Sequence, residues 1–468
     1  MPEVMEWIEV SNTPYFQTET GRAWTPIGHN DAITWPSLAS CFRRRDLPAV
    51  DTYLGTLASC GVTVLRLMLE YCHREHRYFE KPVGEFHPSM VRLWDDLFAM
   101  CERHGIRILL TPFDTFWMWK RWKRHPYNSA NGGPCPGIPE ALLHSETREA
   151  VKRRLQFVTS RWGGSGTLFA WDIWNEIHPA WAKDSSGPMY EFIEDLSTFL
   201  RRTEERLYGR SHPQTVSIFG PIICTDPIAA ETVLQHPCLD FASTHFYEEG
   251  TIDYPLNTVD AAVSTGAIMR STLGQVPPSR PFFDSESGPI HTHKDHHRTL
   301  PEDFDDEYFR HMQWAHFASG GAGGGMRWPN RKPHILTKGM HKAQSSLRSF
   351  VDLIDWGCFR RVNWNEEARV SDPSTKLFAC GDGDQAIIWL LRSDSIGSDG
   401  KLKKDAEAVS PTVSLPCMSA GRYLVTAWDT DSRAEIAAFE IQHPRNGPMN
   451  LQSPPLVRDL AFAIRRRK

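Results

Sequence analysis

The stretch 168–181, LFAWDIWNEIHPAW, constrains this chain more than any other. An apolar and aromatic run, Leu168, Phe169, Ala170, Trp171, Ile173 and Trp174, stops at Asn175 and Glu176. A buried parallel strand that ends on a carboxylate at its mouth has this form. In an α/β barrel the last side chains of a strand face the side where the chemistry happens, so Asn175 and Glu176 are catalytic candidates by place as well as by type. The competing reading is that Glu176 only caps the turn that follows.

A second carboxylate decides between them. Residues 280–288, RPFFDSESG, repeat the pattern: an apolar strand, Glu286 where it ends, then small residues that let a ligand approach. The 110 positions from Glu176 to Glu286 accommodate three βα units of roughly 30 to 40 residues each. Strands four and seven would then face each other across the mouth. Two carboxylic acids about 5 Å apart can cleave a glycoside, one protonating the leaving oxygen while the other attacks the anomeric carbon. Arg66, inside the apolar run VTVLRLML, must be paired to be tolerated there. Glu286 is its expected partner, and the guanidinium would keep Glu286 ionised while Glu176 stays protonated.

WNE at one strand end and SESG at another resemble the acid/base and nucleophile motifs of clan A glycoside hydrolases, in particular family 5 enzymes such as β-mannanases and cellulases. His245-Phe246-Tyr247 resembles the His-x-Tyr at the end of strand six in that family, and Arg66 the arginine at the end of strand two. Trp328, closing GGAGGGMRW, resembles the strand-eight tryptophan beneath the catalytic sugar. HPYNSANGGP (125–134), followed by RWGGSGTLFAW, is similar to a branch of the clan with a C-terminal β-sandwich.

The resemblance, over roughly residues 20 to 440, implies a (β/α)8 TIM barrel with a C-terminal β-sandwich, and the change to alternating strands after Asp355 divides the chain into a barrel over residues 1–355 and an antiparallel β-sandwich with a basic tail over 356–468. The resemblance also implies a retaining β-glycoside hydrolase acting on β-linked hexose chains, β-mannosidic before β-glucan-type. Transglycosylation, or a glycan-binding barrel without turnover, are the alternatives. Glu176 would be the acid/base, Glu286 the nucleophile, and Asn175 the holder of the sugar 2-hydroxyl. His245 and Tyr247 would orient the two carboxylates. His29, Asn30, Asp114, Trp117, His178 and Trp181 are expected to line the substrate, although a histidine at a strand end such as His29 is as often a structural hydrogen-bond donor. The aromatics on the 112–122 loop, including Phe116, Trp117, Trp119 and Trp122, read equally as sugar platforms or as a small core of the loop itself.

Retaining glycosidases need no metal or cofactor, and none is expected. The histidine-rich run His291, His293, His296 and His297 reads better as a substrate-lining loop than as a metal site. A net charge of −5 offers no general attraction to nucleic acid or anionic membrane, so the expected partner is a carbohydrate. The acidic N-terminus, without a long apolar stretch, reads as neither signal peptide nor anchor. Ten scattered cysteines lacking CxxC spacing read as free thiols of a reducing cytoplasm. Oligomeric state is not encoded legibly.

Hydrophobic spacing predicts helices over 46–59, 145–162, 189–207 and 302–319, and barrel strands over 62–68, 105–111, 215–220, 239–245 and 320–328. Lys152, Arg153 and Arg154 would form a solvated helix face. Sandwich strands are expected over 377–380, 386–392, 412–417, 421–428 and 434–441, with Arg465, Arg466, Arg467 and Lys468 as a solvated tail.

Overall fold

A computed structural model describes residues 5–43, 45–70, 78–290 and 299–467. Its central sheet is parallel and closed. The strands are β1 (Gly28–Asp31), β2 (Val64–Met68), β3 (Arg107–Thr111), β4 (Leu168–Asp172), β5 in two segments (Gln214–Thr215 and Ser217–Phe219), β6 (Ala242–Phe246), β7 (Phe282–Ser287) and β8 (Met326–Arg327). Closure occurs at β5, whose first segment pairs with β4 and whose second pairs with β6. Every residue of β2, β3, β4, β6 and β7 is buried, which is why β2, β3 and β4 read as largely apolar runs instead of alternating ones. The helices α1 (Leu47–Ser59), α2 (Pro88–His104), α3 (Ser145–Trp162), α4 (Ser186–Tyr208), α5 (Pro227–Leu234), α6 (Thr258–Leu273), α7 (Glu302–Ala318) and α8 (Lys338–Val351) alternate with them. The fold is therefore a TIM barrel.

Two expectations about this region are corrected. The 112–122 loop contains a helix, Thr115–Arg121, because Asp114 caps it by accepting from the amides of Phe116 (3.3 Å) and Trp117 (2.7 Å). The strand expected over 320–328 shrinks to Met326–Arg327, because the glycines before it form turns; a side chain at Gly321 would run into the His316 ring.

Arg154 does not lie on a solvated face. Helical geometry turns it inward from its neighbour Arg153, and it is fully buried, with Nε 2.7 Å from Glu80 and Nη1 3.1 Å from Glu70. Burial alone would raise the Glu70 pKa, but Arg154 and His125 pull it down to about 2. The network ties the segment after β2 to α3. Arg154→Met should therefore destabilise the fold by about 3–5 kcal/mol, since two buried carboxylates lose their counter-charge. Urea unfolding reads this directly, and a loss below about 1 kcal/mol would contradict the role given to the pair.

After α8 come the sandwich strands β9 (Thr375–Gly381), β10 (Gln385–Arg392), β11 (Thr412–Met418), β12 (Gly421–Asp429), β13 (Ala434–His443), β14 (Gly447–Gln452) and β15 (Asp459–Arg466). One antiparallel sheet runs Val362–Asn363, β9, β10, β15, β12, β13, and a smaller one runs Arg369–Val370, β11, β14. The basic end is thus no solvated tail up to Arg466: Arg465 and Arg466 finish β15, where Gln385 pairs with Arg465 and Tyr423 with Arg466. β15 is a central strand, so its LAFAI run is apolar throughout.

The larger sheet has a second neighbour. Its Phe378, Ile387 and Trp389 share one apolar core with Trp314 and Phe317 of α7 and Phe350 of α8. Helix α7 is consequently buried on nearly every side, from Phe304 to Ala318. Among the described residues no helix is long and apolar enough to cross a membrane, and the described cysteines are free thiols.

Candidate active site

Glu176 lies on the segment that follows β4, which ends earlier than its apolar run, and Glu286 near the end of β7; their carboxylates and His245 present atoms that all lie within 4.8 Å of one another. The Glu176 backbone sits at φ +48°, a left-handed conformation that is costly for a residue with a side chain and is typical of sites where geometry is over-determined. Its amide donates to the Ser217 hydroxyl at 3.2 Å. Both carboxylates are nearly enclosed, with side-chain exposures of 17% and 10%.

Each acid has its own neighbour from the end of β6. Glu176 Oε1 shares a hydrogen bond of 2.8 Å with His245 Nδ1. The Tyr247 hydroxyl donates to Glu286 Oε1 at 2.7 Å. Burial lowers the His245 pKa to about 4, leaving the ring neutral, and raises that of Tyr247 well above the usual phenol range, keeping it a donor.

Arg66 lies beneath the pair, fully buried. Nη1 donates to Glu286 Oε2 at 3.1 Å and to Asn30 Oδ1 at 2.9 Å. Its closer acidic partner is Asp172, which accepts from Nη2 at 2.7 Å and from Nε at 3.2 Å. Burial opposes the charge on Arg66, but Asp172 and Glu286 outweigh it and the pKa is raised. Asp172 also accepts from the amide and hydroxyl of Ser217 at 2.9 and 3.0 Å. Asp172 and Ser217 were missed from the sequence. An acid inside the apolar run FAWDIW is the same signal that singled out Arg66, and each is the other's solution.

Asn175 is held from both ends: its carbonyl oxygen accepts from Arg66, and its amide donates to Asp114 at 2.5 Å. Asn30 donates to the carbonyl of Ser285 at 2.9 Å and so ties β1 to the strand bearing Glu286. Trp328 reaches the same strand end, its amide donating to the Ser287 carbonyl at 2.7 Å.

Other expected lining residues do not meet the site as open surfaces. His29 is buried, with one ring nitrogen on the Tyr53 hydroxyl and the other on Gln344, both at 3.3 Å. Trp117 and Trp181 are packed into the core at 8% and 3% exposure, whereas Trp119, on the same short helix as Trp117, is 59% exposed. His178 spends its Nδ1 capping a short turn at the amide of Ala180. Asp114 uses its carboxyl on its own helix and on Asn175, and burial raises its pKa to about 7. His291–His297 lies outside the described residues.

The expected contrast between an ionised Glu286 and a protonated Glu176 takes a different form here. Burial raises both. Glu176 rises to about 7 despite Arg66. Glu286 rises through burial and the charge of Glu176, opposed by His245, Arg66 and the Tyr247 hydroxyl. The direct Arg66 and Tyr247 bonds make Glu286 the better stabilised anion of the two.

No protein-family model and no curated protein matches the sequence. Solved structures do. A structure described as a glycoside hydrolase superposes with a TM-score of 0.62 at 12% identity, covering 98% of this chain and 97% of that one. A glycoside hydrolase family 5 structure from Bacteroides vulgatus gives 0.60 at 11% identity, over 98% and 93%. A family 5 mannosidase from Rhizomucor miehei gives 0.53 at 14% identity, over 69% and 86%. The chain has the fold of glycoside hydrolase family 5 structures, a TIM barrel with a C-terminal β-sandwich.

Proposed function

We propose that the protein is a retaining β-glycoside hydrolase of β-linked hexose units, with β-mannosides as its substrates. The observation that carries this reading is that one carboxylate oxygen of Glu176 and one of Glu286 lie within 4.8 Å of each other. Retaining enzymes keep their two carboxyl groups about 5–5.5 Å apart, whereas inverting ones leave about 6.5–9.5 Å for a water. Glu286, oriented by Tyr247 and Arg66, attacks the anomeric carbon and forms the glycosyl-enzyme. Glu176 gives its proton to the leaving oxygen, then takes one from the water that resolves the intermediate. The side-chain amide of Asn175 serves the sugar 2-hydroxyl, a contact that can strengthen in the transition state. The preference for mannose rests on the likeness to the Rhizomucor miehei mannosidase.

A panel of aryl β-mannoside, β-glucoside and β-galactoside with manno- and cello-oligosaccharides tests the substrate. Highest kcat/KM on mannosides is expected, and folded protein inactive on every member would favour the binding-barrel reading. The anomer released first, followed by NMR, tests the mechanism; an inverted product would overturn it.

The pH profile follows from the site. Glu176 must begin protonated, so kcat/KM should fall about tenfold per pH unit above its pKa of about 7 as the acid is lost. Glu286 must begin ionised, so activity also falls on acidification, and its raised pKa places that limb above the ordinary glutamate range. A kcat/KM profile flat from about pH 6 to about pH 9 would contradict the acid role of Glu176.

A further inference from the structure

β6 and β7 pair in register from Ala242 opposite Phe282 to Thr244 opposite Asp284, and then slip. His245 stands opposite Glu286, so Ser285 has no partner across the ladder. A one-residue bulge of this kind re-aims the side chains that follow it. In unbroken register Glu286 would stand opposite Phe246, whose ring packs with Phe282, Tyr308 and Met312 in the layer between sheet and helices. Its carboxylate would then point away from the mouth, because a slip of one residue exchanges the two faces of a strand.

The residue that bridges the bulge is Asp284. Its Oδ1 accepts from the amide of Phe246 at 3.2 Å and from the amide of Glu286 at 3.1 Å, one on each strand. The Ser287 hydroxyl is a further partner. Asp284 is itself held: its amide donates to His316 Nε2 at 2.9 Å, and His316 Nδ1 is 2.9 Å from the Gly323 carbonyl, which fixes the ring as the Nδ1–H tautomer. His316 belongs to α7, which the sandwich anchors through Arg310 and Asp459 at 2.7 Å. Asp284 lines a small cavity behind the barrel wall with Gln313 and His316 of α7 and Arg327 of β8. A carboxyl buried among strand residues is costly unless its bonds are needed.

We propose that Asp284 is a positioning residue for the nucleophile: by joining the amides of Phe246 and Glu286 it holds the bulge at Ser285 and so aims the Glu286 carboxylate at Tyr247 and Arg66. This rests on the reading of Glu286 as the attacking group. Asp284 touches no substrate, and its effect is exerted through the backbone.

The test compares Asp284→Ala, which removes the acceptor, with Asp284→Asn, which keeps one in place. For the alanine variant, kcat on an aryl β-glycoside per folded enzyme should fall about 100-fold or more, the scale of an ångström-sized misplacement. KM should change less than about threefold, and the asparagine variant should recover most of the rate. Turnover in Asp284→Ala within about threefold of wild type, or equal losses in both variants, would overturn the proposal. Should the alanine variant not fold, Asp284→Ser takes its place, since a hydroxyl on that shorter side chain cannot bridge both amides. A crystal structure of the variant reads the same claim without turnover. A Glu286 carboxylate displaced from Tyr247 supports it, and an unmoved one overturns it. Wild-type enzyme silent on every glycoside would defeat the nucleophile reading by itself, and the crystal structure would still decide the role of Asp284.

Discussion

Glu286→Ala is expected to lower turnover of aryl β-glycosides by about 10⁴-fold or more, the loss typical of removing a covalent nucleophile. The fold should survive, because Arg66 keeps Asp172, its closer counter-charge. The deleted carboxylate leaves space beside the anomeric carbon. Azide at high concentration should enter it and restore part of the rate, giving a glycosyl azide of inverted configuration while Glu176 still assists departure. Product analysis by NMR reads the configuration. Wild-type-like hydrolysis in the variant, or rescue that yields the retained azide, would remove Glu286 from the role of nucleophile.

Glu176→Ala should separate substrates by leaving group. A dinitrophenolate departs without a proton, so kcat/KM for such a glycoside, which reports the first step, should stay within about tenfold of wild type. For an alkyl or oligosaccharide leaving group, which needs the proton, the loss should reach about 10³-fold, within the range of general acid catalysis. kcat on the activated substrate should fall more than its kcat/KM, because Glu176 also activates the water of the second step. Here azide should yield the retained product, since it attacks the glycosyl-enzyme. Equal losses on good and poor leaving groups would contradict the acid role.

The same side chains show where a linear reading succeeds. Arg66 stands out because it interrupts an apolar run, and Glu176 and Glu286 because each stands where such a run ends; a charge inside a strand must be answered by structure. Asp172 and Asp284 carry the same signal, four positions before Glu176 and two before Glu286. Their meaning depends on partners that lie far away in the chain, Arg66 for the one and Phe246 for the other. Aromatic type likewise does not reveal exposure. Trp117 and Trp119 are two positions apart, and the helix Thr115–Arg121 turns one into the core and the other to solvent. Arg154 was misread for a related reason: in the run KRR the helix turns only that arginine toward Glu70 and Glu80.

By itself the sequence determined the barrel, the appended sandwich and the two strand ends that carry the acids. Those are local matters: burial on both faces makes a strand apolar throughout, and a strand that ends in polar residues announces its mouth. Only the tertiary structure decided that Arg66 is shared between Asp172 and Glu286, that burial raises both glutamates, and that a bulge held by Asp284 turns Glu286 inward. Hydrogen bonds, desolvation and strand register depend on distances between segments that are remote in sequence, and those distances exist only once the barrel has closed.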